Sequence, residues 1–139
     1  MKSRIYHTQS EEETIALGEQ LAAELPSKAV VLLIGHLGAG KTTLAKGIVN
    51  GLGAAPPEEV SSPTFTLIHE YSPSVYHIDL YRLDTPEQVA TLGLDEIFDR
   101  DAVTLVEWGE KFPALMPDDR IEIRLRATAE NSREVEVTT

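Results

Sequence analysis

Cysteine is absent from the 139 residues, which excludes disulfides, thiolate zinc sites and cysteine nucleophiles. Basic side chains are scarce: 12 Lys and Arg stand against 23 Asp and Glu, for a net charge of −11. Such a surface repels phosphate backbones and argues against autonomous nucleic-acid binding. The best local basic patch, Arg120, Arg124 and Arg126, alternates with Ile121, Ile123 and Leu125, the pattern of a half-buried strand with a solvated face. No apolar run reaches membrane-spanning length, and the N-terminal MKSRIYHTQSEEE lacks the apolar core of a signal peptide. The expectation is a soluble cytoplasmic protein with no membrane partner. Internal repeats, low-complexity tracts and domain-sized linkers are also missing, so residues 1–139 read as one domain, long enough to bury a core.

What is present is an alternation of strand and helix signals. SRIYHT, residues 3–8, reads as a short strand. Ser10 then opens a helix, with Glu13 completing a capping box and Pro26 ending it. AVVLLIG, residues 29–35, is a continuous apolar run, the mark of a strand covered on both faces. A glycine-rich turn leads into a helix over about residues 41–52. After a loop rich in Pro, Glu and Ser, TFTLIHEY and VYHIDLYRL read as two strands of a hairpin about SPS. Thr85-Pro86-Glu87 starts a further helix. AVTLVEW, residues 102–108, is a second buried strand. RIEIRLRA and REVEVTT form a terminal antiparallel pair around TAENS. These elements predict a three-layer α/β domain of the P-loop NTPase type, its central sheet mixed but mainly parallel, with antiparallel C-terminal strands.

Gly35-His36-Leu37-Gly38-Ala39-Gly40-Lys41-Thr42 satisfies G-x-x-x-x-G-K-[ST] without a mismatch, an event of about one in two hundred by chance in a chain of this length. The glycines let successive backbone N–H groups turn inward onto phosphate oxygens, and the helix that follows adds its positive dipole end. Lys41 is placed to reach the β- and γ-phosphates, the Thr42 hydroxyl to ligate Mg2+, and Thr43 to meet the α-phosphate. The expected nucleotide contacts are therefore Leu37, Gly38, Ala39, Gly40, Lys41, Thr42 and Thr43, with ATP and Mg2+ as ligands.

Two carboxylates sit where a strand otherwise reads as buried. Asp79, in YHIDLYRL, shares a face with His77 and Tyr81 and needs a partner. The expected partner is a hydrated magnesium ion; the rival is a structural pairing with Arg82 or His77. Glu107 ends VTLVEW and is placed to orient or deprotonate an attacking water; the rival is a rim carboxylate in an ion pair. Thr64, in SSPTFT, lies where a γ-phosphate-sensing segment sits, or in a plain Ser/Thr-rich turn. Trp108 is either a core plug or a ring against the nucleotide.

Taken in order, GHLGAGKTTLAKG, SSPTFTLIHEY, YHIDLYRL and LVEWGE resemble the signatures of the TsaE family over nearly the whole chain. These are small bacterial ATPases of tRNA threonylcarbamoyladenosine biosynthesis. The resemblance implies a weak ATPase that supports turnover of the TsaB–TsaD enzyme, which modifies the adenosine beside the anticodon; tRNA would be met only through those partners. Carried over, it assigns Lys41 and Thr42 to phosphate and magnesium, Thr64 to the switch segment, Asp79 to magnesium, Glu107 to hydrolysis and Trp108 to the nucleotide neighbourhood. The expected catalytic set is Glu107, Lys41 and Thr64, and the expected metal set Thr42, Asp79 and Glu107. One departure stands out: His36 occupies a position where the family usually has an acid.

Other functions share parts of this pattern. A small-molecule kinase would use the same cradle but needs an arginine-bearing lid, for which the chain has no segment. A GTPase would need an Asn-Lys-x-Asp sequence, which is absent. A nucleotide-dependent binding module differs only in lacking a working Glu107.

Overall fold

The computed structural model describes residues 2–139. Seven strands form one sheet in the order β1-β7-β6-β2-β5-β4-β3: β1 Ser3–Thr8, β2 Ala29–Ile34, β3 Ile68–Ser72, β4 Val75–Asp79, β5 Val103–Glu107, β6 Ile121–Ala127 and β7 Arg133–Thr138. β6, β2, β5 and β4 run parallel as the centre. β3 pairs antiparallel at one edge, β7 and β1 at the other. The expected mixed, mainly parallel sheet with an antiparallel C-terminal pair is therefore what forms.

β2 shows why the sheet must be covered twice. Val31 and Leu33 belong to one core, Val30 and Leu32 to the other, as period two dictates for a strand buried on both faces. The first core is closed by α1, Glu11–Ala22, and α2, Lys41–Gly51, through Leu17, Leu21, Leu44, Ile48 and Val49. The second is closed by α3, Pro86–Ala90, and α4, Leu94–Phe98, through Val89, Leu94, Ile97 and Phe98. α1 and α2 approach through glycine: a Cβ on Gly47 would lie 2.0 Å from the Ile15 carbonyl oxygen, and one on Gly18 2.5 Å from that of Leu44. No side chain fits at that crossing.

Local signals placed most boundaries. Ser10 Oγ accepts from the Glu13 amide, but the Glu13 carboxylate reaches back to the Gln9 amide instead of that of Ser10, so the capping box there is only half made. A full box forms at the start of α3, between Thr85 and Gln88. The hairpin strands are shorter than expected. Residues 64–67 form a turn that ends with Leu67 at φ 70°, and β4 stops at Asp79. α4 has no counterpart in the sequence reading, because a helix of this length is too short to establish a 3.6-residue period.

Candidate functional site

The parallel strands β2, β4 and β5 deliver their carboxyl ends to one cleft of about 480 Å3, where ligands gather in open α/β sheets. At the end of β2 the chain makes a tight loop and enters α2. Gly38 and Gly40 hold left-handed backbone, φ 80° and 103°, which side-chain-bearing residues resist. Gly40 is the N-cap of α2 and offers no side chain to its first turn. The free N–H groups of that turn therefore face the cleft, an arrangement suited to an anion.

Lys41 folds back across this loop. It is 5% exposed; its ammonium donates to the Gly35 carbonyl at 2.7 Å and lies 3.6 Å from the centre of the Trp108 ring. Burial pushes its pKa below the ordinary lysine value, while the nearby negative charges of Glu107, Glu110 and Asp79 pull it back up.

Asp79 and Glu107 are register partners on the adjacent strands β4 and β5. Both are nearly inaccessible, at 2% and 3% exposure. Asp79 Oδ2 accepts from Ser62 Oγ at 2.7 Å and Thr64 Oγ1 at 3.0 Å, and Oδ1 accepts from the Tyr81 amide at 2.8 Å. Neither rival protein partner is used: Arg82 lies over the Phe65 ring, and His77 turns to Glu107. His77 Nε2 donates to Glu107 Oε2 at 2.6 Å, and Thr42 Oγ1 approaches the same oxygen at 3.4 Å. Glu107 is thus a buried carboxylate held by an imidazole and is not a rim charge.

Trp108 settles between its two expected roles. It is half-buried against the second core and also lines the cleft, its ring centre 5.2 Å from that of Tyr81 with the planes tilted by 49°. Its left-handed φ of 65° turns the chain at the end of β5. Thr43 and Leu37 line the cleft, with Leu37 largely exposed, while Ala39 is buried behind the loop in the first core. The turn that carries Thr64 is tied to Asp79 through both Ser62 and Thr64.

Several site residues escaped the sequence reading. Ser62 was visible only as part of SSPTFT. Glu11 lines the cleft with no motif of its own, and Tyr81, inside YHIDLYRL, was read only as sharing a face with Asp79. Arg133 lies on β7: its Nη1 donates to the carbonyls of Ala129, Glu130 and Ser132, and its Nη2 donates to that of Gly38. It ties the C-terminal hairpin to the cradle, a link that spacing along the chain does not reveal. Glu110, just beyond β5, is buried enough that its carboxyl pKa is pushed up.

No group of three or more His, Cys, Asp or Glu converges among the described residues. Where β4 and β5 end, the cleft instead offers the carboxylates of Asp79 and Glu107 together with the Thr42 hydroxyl. This all-oxygen set suits a hard divalent cation that takes its other ligands from water and phosphate.

The sheet order, the strand–loop–helix at β2–α2 and the paired carboxylates define a P-loop NTPase-like α/β domain. The model of the family described as threonylcarbamoyl adenosine biosynthesis protein TsaE matches residues 8–135. The chain is 40% identical over 141 residues to the Bacillus subtilis (strain 168) tRNA threonylcarbamoyladenosine biosynthesis protein TsaE, covering 99% of this chain and 87% of that one. It is 37% identical to the protein of the same name from Treponema pallidum (strain Nichols), covering 94% and 96%. The crystal structure of Bacillus subtilis YdiB superposes with a TM-score of 0.80 at 37% identity, covering 99% of this chain and 86% of that one. The chain belongs to the TsaE family.

Proposed function

We propose that the protein binds Mg-ATP in this cleft, hydrolyses it, and in doing so regulates the TsaB–TsaD enzyme that installs threonylcarbamoyl on tRNA adenosine. The observation that carries the reading is the convergence of the glycine cradle with Asp79 and Glu107 at the ends of adjacent strands. The names of the relatives supply the pathway.

In this reading the N–H groups of the cradle and the first turn of α2 receive the phosphate oxygens. Lys41 exchanges the Gly35 carbonyl for the β- and γ-phosphates. Thr42, Asp79 and Glu107 hold the magnesium ion and its waters, and the ion supplies neutralisation of the charge that develops on the phosphate oxygens. Glu107 also orients the attacking water and accepts its proton. The Thr64 turn and the Asp79 site it is tied to close together around Mg-ATP, and hydrolysis releases that closed state. Release of that closed state resets the partner enzyme.

The test is ATP hydrolysis by the purified protein, alone and with matched TsaB, TsaD and tRNA, with Lys41→Ala as the blank. Slow hydrolysis that rises sharply with the partners is expected. A rate that the partners leave unchanged overturns the regulatory part, and Glu107→Ala at full rate overturns the catalytic part.

A further inference from the structure

His77 sits in the middle of β4, fully buried, between Leu105 of β5 and His69 of β3. An imidazole in that position is costly unless its polar atoms are used. One of them is not: Nδ1 is buried without a hydrogen-bond partner. Among the described residues the ring's one hydrogen bond is from Nε2 to Glu107 Oε2. An ionised carboxylate can only accept, so Nε2 is the donor of that bond.

The two oxygens of Glu107 are treated differently. Oε2 takes His77 Nε2 and the longer approach of Thr42 Oγ1. Oε1 receives no hydrogen bond from the described residues, yet it is not among the buried unpartnered atoms. It is therefore open to the cleft that Glu107 lines. A carboxylate with one oxygen held by a buried imidazole cannot rotate freely, and its other oxygen has a fixed direction.

We infer that His77 is a positioning residue: it locks Glu107 through Oε2 so that Oε1 faces the nucleotide side of the cleft. The inference rests on the ATPase reading above and concerns this chain's own device for making Glu107 effective. It accounts for a buried imidazole that otherwise destabilises the sheet and leaves one nitrogen unsatisfied. The chemistry is that of an outer partner which orients a metal- or water-facing carboxylate, where loss of the partner costs about 10–100-fold.

Three substitutions separate orientation from mere filling of space. His77→Gln keeps an N–H donor near the place of Nε2. His77→Asn fills part of the space, but its amide ends near the place of Nδ1 and falls short of Oε2. His77→Leu removes the donor altogether. The expected result is kcat lowered about 10–100-fold in His77→Asn and His77→Leu, KM within about twofold of the parent, and kcat largely restored in His77→Gln. A second readout does not depend on turnover: ADP affinity followed by Trp108 fluorescence with EDTA and with Mg2+. Affinity in EDTA should hold in all three variants, and the gain on adding Mg2+ should shrink in Asn and Leu only.

Equal losses in Gln, Asn and Leu, with KM rising in step, overturn the inference in favour of a packing role. So does unaltered kcat in Asn. Should Leu not fold, the Gln–Asn comparison decides alone. Glu107→Gln run in parallel guards the underlying reading: if that variant hydrolyses at the parent rate, it is the ATPase assignment of Glu107 that fails, whatever His77 does.

Discussion

Asp79 and Glu107 are cross-strand partners on β4 and β5, yet their carboxylates are held by different donors. Hydroxyls and an amide from the Ser62–Thr64 turn and from Tyr81 hold Asp79; a buried imidazole holds Glu107. The hydroxyl pair belongs to the turn that precedes β3, whereas the imidazole is built into the sheet. One carboxylate is thereby linked to a connecting segment and the other to the sheet core.

The Ser62–Thr64 grip on Asp79 is measurable as a coupling. Ser62→Ala and Thr64→Ala each remove a hydrogen bond to a buried charge and should each lower stability by about 1–2 kcal/mol. Because both bind one oxygen, the double variant should differ from the sum by at least about 0.5 kcal/mol. Urea unfolding of the single and double variants checks this; strict additivity would mean the two hydroxyls act independently.

Lys41 is held in a protein that would be more comfortable without its charge. Burial lowers its pKa, so the charged form is penalised at neutral pH, and the penalty fades as pH rises from the lowered folded value toward the unfolded one. Lys41→Met should therefore raise the melting temperature of the nucleotide-free protein at pH 7 and abolish ATP binding. This is the trade between stability and function expected of a binding group. Thermal melts with and without ATP give both answers.

Glu110 gives the opposite pH signature. Its folded pKa is raised by burial, so the native state holds the proton more tightly than the unfolded chain does. Stability is full below the unfolded carboxyl value and is lost as pH rises through the folded one. Glu110→Gln should melt about 1–3 °C above the parent at pH 7, with the difference closing by about pH 4. A difference that stays constant over that range would rule out the titration as its source.

The α1–α2 crossing leaves no room for a methyl group. Gly47→Ala would drive its Cβ into the Ile15 carbonyl, and the contact is with backbone, which cannot swing aside. A loss of about 1–3 kcal/mol is expected, although alanine is the better helix former. Since α2 begins at Lys41, nucleotide affinity should fall as well; denaturant unfolding and ADP titration check the two parts.

The cradle was legible in the sequence because its residues are contiguous and each has a mechanical reason for its place. The buried strands were legible because β2 is apolar throughout and β5 is broken only by Thr104 before it reaches Glu107. Asp79 and Glu107 stood out as carboxylates in buried strands. Their partners did not, since the pairing of His77 with Glu107 depends on β4 lying beside β5, and that order is decided by how the helices cover the sheet. His77 was weighed as a partner for Asp79, two residues away; its actual partner is across the ladder. α4 was missed because a single turn of helix carries no period.

Arg133 reaches the Gly38 carbonyl across 95 residues of sequence, and this bears on how the protein is made. A ribosome delivers the whole cradle motif long before β7, so for much of synthesis the loop exists without its clamp. β6 must first dock beside β2, and β7 beside β6, before the guanidinium can arrive. Completion of the loop is in this sense a late event in the life of the nascent chain: the motif that marks the site is translated early, and the arginine that steadies it is among the last parts of the sheet to appear.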